Sequence, residues 1–176
     1  MGETEAPLHD PMPPMTYKTT DLSDAYGSAL QIAEPLFRDY GGTADFWGEI
    51  VTLKVADDNT LVRKALEREG HGKVLVVDGG GSTRCALLGD QLAQLAASNG
   101  WAGVVVNGCI RDSQVIAGVS IGVKARGTVP RKSNKNNTGE ADVVLQFANV
   151  VFTPGHYLYA DTDGIVVAHE RLAAPG

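Results

Sequence analysis

The middle of the chain alternates continuous apolar runs with segments in which apolar residues recur at helical spacing. The run KVLVVDGG is short, apolar and bounded by glycines, as is typical of a buried strand. In the next segment, GDQLAQLAASNG, Leu92, Leu95 and Ala96 recur at the spacing of one helix face, and AGVVVNG is another buried-strand run. A strand, a helix and a strand in this order predict a parallel crossover.

The residues before this unit predict a helix, a strand and a second helix. TTDLSDAYGSAL favours a helix capped by Thr20 or Asp21, and FWGEIVTLKV favours a strand because it is rich in β-branched and aromatic residues. We expect Asn59 to cap the second helix, over TLVRKALEREG, and Gly70 to end it.

Beyond Arg111 the pattern changes to strands separated by turns, without strong helices. The strand-like segments are VSIGVKARGTV, VVLQFANVVFTPG and HYLYADTDGIVVA. Between the first two lies PRKSNKNNTGEAD, a polar stretch that we predict to be an exposed loop. The whole pattern predicts a mixed-sheet α/β fold, α/β in the middle and β-rich towards the end.

Length and composition favour one domain. A chain of 176 residues with 43% hydrophobic content can bury a substantial core. Residues 1–17 contain four prolines and few large aliphatic residues, which predicts a flexible N-terminal arm before a single domain over residues 18–176. No segment has the roughly 20 apolar residues of a membrane helix or the zones of a signal peptide, so we expect a cytoplasmic protein.

The net charge and the cysteines restrict the kinds of partner and of metal or disulfide site that we expect. The formal net charge of −6 provides no broad basic field, so we expect no direct nucleic-acid partner, although a locally positive pocket can still bind a small anion. Cys85 and Cys109 lie in apolar surroundings without metal-ligand spacing, which favours buried thiols over zinc or a disulfide. The four histidines are scattered, so we expect them in loops or on the surface.

The glycine-rich stretch DGGGSTR follows a predicted strand and invites comparison with a nucleotide-binding loop. Gly79 and Gly81 satisfy the first part of a GxGxxG motif, but Arg84 stands in place of the third glycine, and no GK[ST] follows. A turn that needs glycine dihedral angles is the favoured interpretation.

Two short motifs are the main candidates for chemistry. GDQL, residues 89–92, stands where a strand-like run meets a helix, and the first backbone N–H groups of a helix can bind a carboxylate; alternatively, Asp90 simply caps that helix. Arg111 and Asp112 follow the next strand, and ligands of α/β sheets gather at the carboxyl ends of strands. Asp112 can bind Mg²⁺, and Arg111 can bind a ligand oxygen, whereas the bland alternative is a solvated ion pair.

These motifs, together with EPLFRDYGG, VLVVDGGGSTRCALLGDQLAQLA, GWAGVVVNGCIRD, GTVPRKS and YADTDGIVV, resemble the RraA family over about residues 19–167. The family includes class II 4-hydroxy-4-methyl-2-oxoglutarate aldolases, oxaloacetate-decarboxylating relatives and regulators of ribonuclease E. Its aldolases share an aspartate, twenty intervening residues and an Arg-Asp pair, here Asp90, Arg111 and Asp112. The resemblance implies a swivelling β/β/α domain with flanking helices, assembled as a homotrimer with sites near the subunit boundaries.

The resemblance also implies roles for individual residues. The substrate-binding residues would be Gly89, Asp90, Gln91, Leu92 and Arg111, with Asp112 as the metal ligand. The cofactor would be a divalent cation, Mg²⁺ or alternatively Mn²⁺, and the substrate a small 2-oxo acid.

The expected reaction is aldol cleavage to pyruvate, with oxaloacetate decarboxylation as a side activity. Arg111 and the metal would stabilise the enolate, and a water near Asp90 would act as the base. No lysine stands in the motif to form a Schiff base, which favours the metal-dependent route. The alternatives are a non-enzymatic regulator that binds and inhibits ribonuclease E and, more weakly, a menaquinone-pathway methyltransferase. Against the methyltransferase argues the absence of a glycine-rich SAM-type loop that leads into an acidic strand end.

Overall fold

The computed structural model of the protein describes residues 17–175. The predicted arm lies outside the described residues except for its last residue, Tyr17, whose side chain is buried against Trp47 and Tyr159. Within residues 17–175, no helix is long and apolar enough to span a membrane.

The elements follow the predicted order, with several short strands added. The helices are α1 (Thr19–Tyr26), α2 (Thr60–Leu66), α3 (Asp90–Ser98) and α4 (Ser113–Ile116). The first eight strands are β1 (Gln31–Ile32), β2 (Arg38–Asp39), β3 (Phe46–Lys54), β4 (Val74–Asp78), β5 (Ala86–Leu88), β6 (Gly103–Ile110), β7 (Gly122–Thr128) and β8 (Glu140–Ala141). The last four are β9 (Leu145–Phe147), β10 (Val150–Phe152), β11 (Tyr157–Asp161) and β12 (Gly164–Ala168).

The predicted parallel crossover is confirmed, and it lies at the centre of a curled mixed sheet. Its centre consists of four neighbouring parallel strands, in the order β3, β4, β6 and β7. Strand β5 pairs with β6, also in parallel. Beyond β3 the sheet continues through the antiparallel strands β11, β12 and β1, and β2 closes the other edge. The fold is therefore α/β with a β-rich end, as predicted.

Both faces of the central strands are buried, which explains why their sequences are continuously apolar. On one face Val62, Leu66, Leu92 and Ile116 of the helices pack against the sheet. On the other face the β9–β10 hairpin and strands β11 and β12 fold over the sheet and form a second core around Phe152. The result is a β/β/α arrangement of layers.

Two local predictions were wrong at element boundaries, and a third, Asn59 as the N-cap of α2, is confirmed in position. Helix α1 begins at Thr19, before the predicted caps Thr20 and Asp21, because the Asp161 carboxylate accepts hydrogen bonds from the Thr19 amide and hydroxyl, both at 2.7 Å. At α2 Asn59 holds the N-cap position as predicted, but the side chain that accepts from the Thr60 amide, at 2.9 Å, belongs to Asp58.

Helix α2 also ends at Leu66, earlier than the predicted stop at Gly70. A Cβ atom at Gly70 would lie only 2.5 Å from the Trp101 ring, so glycine is needed there for close packing.

The polar stretch after β7 is only partly the exposed loop that was predicted. Most of its side chains are exposed, but Ser133 is buried and β8 pairs with β3. Residues 131–137, which we call the 131–137 loop, run beside β5 and the start of α2 through bridges of Lys132 with Ala86 and of Asn134 with Asp58. This course brings the loop to the carboxyl ends of β5 and β6.

Candidate active site

The two predicted motifs meet at one edge of the sheet. Strands β5 and β6 are parallel, and the Arg111 amide donates to the Leu88 carbonyl at 3.0 Å. Gly89, which follows β5, and Arg111, which follows β6, are thereby held side by side.

A cleft of about 220 Å³ opens at this edge and contains every predicted site residue. Its lining includes the predicted residues Gly89, Asp90, Gln91, Leu92, Arg111 and Asp112, here called the motif group. It also includes Asn59, Arg63, Lys132, Ser133 and Lys135, here called the loop group. The loop group carries hydrogen-bonding or cationic side chains that the sequence patterns did not connect with the motifs.

Asp112 directs its carboxylate at the start of α3. Its backbone adopts the left-handed conformation, with φ of 58°, which aspartate tolerates better than most residues. Its Oδ2 accepts from the Asp90 amide at 3.3 Å and lies 3.9 Å from Arg111 Nε. Because both side chains are 42% exposed and the contact is long, the ion pair itself contributes little to stability.

Gly89 allows the Asp112 carboxylate to lie close to the start of α3. It occupies the N-cap position of α3, and a Cβ atom added there would lie 3.0 Å from Asp112 Oδ2, which is tighter than an ordinary contact. The absence of a side chain at position 89 thus leaves space for the carboxylate beside the helix N-terminus.

The alternative that Asp90 is simply the cap of α3 is wrong, because Gly89 holds that position and Asp90 is the first helical residue. The first intrahelical bond runs from the Ala93 amide to the Gly89 carbonyl, at 3.0 Å. The amides of Gln91 and Leu92 precede that bond, as first-turn donors do. The start of α3 therefore offers donors to a bound anion, and the Asp90 side chain is left to line the cleft.

The cleft is locally cationic although the chain is acidic. Four cationic side chains line it, those of Arg63, Arg111, Lys132 and Lys135, against the carboxylates of Asp90 and Asp112. This local excess of positive charge suits a small anion, as the sequence allowed for.

Asp58 holds the loop group in place. This carboxylate is buried and accepts from the Asn136 amide at 2.5 Å and from the Thr60 amide at 2.9 Å. Burial raises the pKa of Asp58, but hydrogen bonds from Thr60, Asn136 and Thr138 together outweigh it and leave the pKa below its ordinary value. The ionised carboxylate thus links the 131–137 loop to α2.

The position of two lysines qualifies the argument made from the motif alone. Lys132 and Lys135 both line the cleft, and Lys135 Nζ donates to Asn59 Oδ1 at 3.1 Å. The cleft therefore contains lysines although the motif has none. A single sequence offers no local signal that the 131–137 loop faces the motifs.

The residues present fit the cation that the family resemblance implies. Mg²⁺ and Mn²⁺ prefer hard oxygen ligands, and Mg²⁺ is often held by one or two carboxylates with water completing its shell. Asp112 provides a carboxylate that is exposed to the cleft, and Asp90 lines the same cleft.

The glycine-rich stretch forms a turn, as favoured from the sequence. Gly80 and Gly81 have φ of 65° and 71°, and the Gly81 amide donates to the Asn107 carbonyl. The Gly80 amide donates to Asp78 Oδ1 at 2.9 Å. These amides are already bonded within the protein, so the turn has no phosphate-binding character.

Cys85 and Cys109 are buried free thiols, as predicted. Burial raises the pKa of both thiols, which makes them poor nucleophiles at neutral pH. Of the predicted surface histidines, His71 and His169 are exposed and His156 is half-buried, whereas His9 lies outside the described residues.

Comparison with known proteins identifies close relatives. A family model described as "RraA-like: Aldolase/RraA" matches residues 19–167. A protein of Aromatoleum aromaticum, provisionally named 4-hydroxy-4-methyl-2-oxoglutarate aldolase, is 56% identical over 90% of this chain and 99% of its own length. A protein of Dechloromonas aromatica with the same provisional name is 53% identical over 90% of this chain and 99% of its own.

Two solved structures are also very similar. The first is an S-adenosylmethionine:2-dimethylmenaquinone methyltransferase from Geobacillus kaustophilus, 53% identical, with a TM-score of 0.87 over 90% of this chain and 99% of the other. The second is the RNA-processing inhibitor RraA from Thermus thermophilis, 48% identical, with a TM-score of 0.87 over 90% of this chain and 96% of the other. One fold thus carries names from three functional classes.

Proposed function

Because the chain belongs to the RraA-like family, we propose that it is a divalent-metal-dependent class II aldolase. It cleaves 4-hydroxy-4-methyl-2-oxoglutarate to pyruvate, with oxaloacetate decarboxylation as a side activity. The observation that carries the proposal is the meeting of the start of α3, Arg111 and Asp112 in one cationic cleft. The provisional names of the close relatives support the same reaction.

The motif group binds the 2-oxo acid end of the substrate. The amides of Gln91 and Leu92 donate to its carboxylate, where the positive end of the α3 dipole also favours negative charge. The Arg111 guanidinium donates to the 2-oxo oxygen, on which negative charge develops during cleavage. Arg111 therefore binds the transition state more strongly than the ground state.

Asp112 is the proposed metal ligand, with Mg²⁺ preferred and Mn²⁺ as the alternative. When bound, the cation supplies Lewis-acid stabilisation of the enolate oxygen. The protein residues perform the remaining steps, namely orientation of the substrate and transfer of its proton.

Cleavage breaks the C3–C4 bond of the substrate. A water held near the Asp90 carboxylate takes the C4 hydroxyl proton, the O–H electron pair left on that oxygen forms the carbonyl of one pyruvate, and the C3–C4 electrons form the enolate of the other; the proton is then available for return to C3. Protonation of that enolate at C3 yields the second pyruvate. Oxaloacetate decarboxylation passes through the same enolate, so the same groups serve both reactions.

The decisive assay measures pyruvate release from 4-hydroxy-4-methyl-2-oxoglutarate and oxaloacetate with Mg²⁺, and then with EDTA. We expect turnover that EDTA abolishes and Mg²⁺ restores. Asp112→Ala should abolish turnover, and Arg111→Ala should cost about 3–4 kcal/mol of transition-state stabilisation, as for a lost oxyanion donor. Absence of metal-dependent turnover would overturn the enzyme proposal, and retained activity in Asp112→Ala would overturn the ligand assignment.

The lysines in the cleft call for a direct test of the imine route. The protein is incubated with pyruvate and borohydride, which reduces any imine to a stable adduct, and its mass is measured. We expect an unchanged mass. A pyruvyl adduct on Lys132 or Lys135 would instead indicate class I chemistry.

The alternative is a non-enzymatic regulator that binds and inhibits ribonuclease E, which the name of the Thermus structure favours. An acidic chain suits a basic protein surface without contact with RNA. A pull-down with ribonuclease E at moderate salt tests this role, and binding retained by Asp112→Ala would be independent of the metal site. The methyltransferase name has less support, because the glycine-rich amides are bonded within the turn.

We further propose that the protein is cytoplasmic and forms a homotrimer. Two buried free thiols are compatible with a reducing compartment.

A further inference from the structure

Ser133 is unusual among the residues that line the cleft. Its side chain is buried, with 6% of the residue exposed, and Oγ has no hydrogen-bond partner among residues 17–175. A buried hydroxyl without a partner is unfavourable, because it has lost its water without gaining a protein acceptor. Since Ser133 also lines the cleft, a bound ligand can supply the missing acceptor.

The surroundings of Ser133 define the class of that acceptor. Lys132 precedes it in the loop, and Arg63 and Lys135 line the same cleft, so the potential here favours an anion. Lys135 is already bonded to Asn59, whereas Lys132 and Arg63 reach the cleft from the 131–137 loop and from α2. These cations belong to the loop group and are separate from the helix amides and Arg111 that bind the 2-oxo acid end.

We propose that Ser133, with Lys132 and Arg63, forms a second-carboxylate subsite that makes the cleft selective for 2-oxo dicarboxylates over 2-oxo monocarboxylates. The inference rests on the proposed function for the identity of the first subsite. The Ser133 hydroxyl donates to one oxygen of the distal carboxylate, after rotation about Cα–Cβ between staggered positions turns Oγ towards the cleft. Ser133 is thus a specificity-determining residue that takes no part in bond cleavage.

Binding measurements test the subsite without requiring turnover. Calorimetry with Mg²⁺ compares 2-oxoglutarate with 2-oxopentanoate, which has the same 2-oxo acid end and no second carboxylate. We expect the wild-type chain to prefer 2-oxoglutarate, and Ser133→Ala to lower that preference by about tenfold, the effect of one lost charge-assisted hydrogen bond. Affinity for 2-oxopentanoate should be unchanged.

Two further variants distinguish the loss of the Ser133 hydroxyl from a general effect on folding. Ser133→Thr keeps the hydroxyl and should keep most of the preference, and Ser98→Ala, at the exposed far end of α3, should behave as wild type. Without ligand, Ser133→Ala should melt at the same temperature as wild type or higher, because it removes an unpaired buried hydroxyl. A preference that survives in Ser133→Ala, or an equal loss for both ligands, would overturn the subsite.

The same variants separate the two proposals. A serine-dependent preference in a chain that cleaves no 4-hydroxy-4-methyl-2-oxoglutarate would leave the subsite standing and the aldolase proposal wrong. Turnover combined with a serine-independent preference would leave the aldolase proposal standing and the subsite wrong.

Discussion

At the scale of single residues, the candidate site depends on the contact between the Asp112 carboxylate and the start of α3. Asp112 leaves β6 in a left-handed conformation and directs Oδ2 at the Asp90 amide. A non-glycine residue in this region of dihedral space carries a conformational cost, and such residues are concentrated at functional sites. On this ground we propose that the Arg111-Asp112 pair is more than a solvated ion pair.

Gly89→Ala tests that contact. The added Cβ would lie 3.0 Å from Asp112 Oδ2, and the side chain can move aside at little cost to the fold. We expect only a small fall in melting temperature, because alanine is a poorer N-cap than glycine. We also expect a drop in kcat of about tenfold or more and weaker activation by Mg²⁺, because small displacements of a positioned group are costly. Thermal melts and metal titrations of activity provide the measurements.

Gly118→Ala is the matched control, since Gly118 is exposed and a Cβ there would meet only the Val115 carbonyl, at 3.5 Å. Wild-type kinetics in Gly89→Ala would show that the position of the Asp112 carboxylate is unimportant.

At the scale of elements, the 131–137 loop contributes Lys132, Ser133 and Lys135 to the lining of the cleft. The Asp58 carboxylate joins this loop to α2 by accepting one amide on each oxygen. An ionised carboxylate can accept both bonds, whereas an asparagine side chain has one oxygen and a competing NH₂ donor. Asp58 is therefore a positioning residue for the loop group.

Asp58→Asn should loosen the loop without touching the motif group. We expect the free energy of unfolding to fall by about 1–3 kcal/mol, the range for an unsatisfied buried group. KM should rise more than kcat falls, because Arg111 and Asp112 stay in place. Urea denaturation and steady-state kinetics measure the two effects, with exposed Asp24→Asn as control; a fall in kcat alone would contradict the positioning role.

At the scale of the whole molecule, acidic side chains connect segments that are distant in the chain. The Asp161 carboxylate bonds to Thr19, 142 residues away, and so joins α1 to the β11–β12 turn. Burial raises the pKa of Asp161, but hydrogen bonds from Thr19 and from the amides of Asp163 and Gly164 outweigh it and leave the pKa below the ordinary 3.8.

This shift predicts a loss of stability in acid. A carboxyl with a lowered folded-state pKa stabilises the fold above its unfolded value of 3.8, and the stabilisation disappears as pH falls through the folded-state pKa. The pKa of Asp58 is also lowered in the folded state, so protonation of Asp58 in acid destabilises the fold as well. We expect unfolding free energies to fall below about pH 4, and the fall to be shallower in Asp161→Asn; equal slopes in the variant and the wild type would contradict the linkage.

The proposed homotrimer is also a property of the whole molecule. Three large aliphatic side chains are exposed on β1 and on or beside the β9–β10 hairpin, namely Ile32, Val144 and Val151. The Gln31 side chain links β1 to the hairpin by two hydrogen bonds with the Val151 backbone. We propose that these side chains contribute to the subunit interface. Light scattering should give three times the chain mass of 18.5 kDa for the wild type and a smaller mass for Val144→Asp, whereas a wild-type monomer would overturn the trimer.

The periodicity of apolar residues predicted the central elements because local burial dictates them. Strands that are buried on both faces must be continuously apolar, as in VLVVD and GVVVNGCI, and α3 must place Leu92 and Ala96 on one face. The position of GDQL and Arg111-Asp112 at strand ends followed from the same pattern. Both motifs lie within residues 19–167, which match the RraA-like family, and this resemblance led to the proposed reaction.

Tertiary structure alone decided where α1 begins, which side chain caps α2 and which residues complete the cleft. Asp161 reaches Thr19 across 142 residues, and Asp58 reaches Asn136 across 78. Hydrogen bonds of this kind leave no local pattern, because a polar residue in a loop looks the same whether it faces solvent or a site. Ser133 and Lys132 were therefore hidden in a stretch that resembled an ordinary exposed loop, and only the folded chain brought them to Arg111 and Asp112.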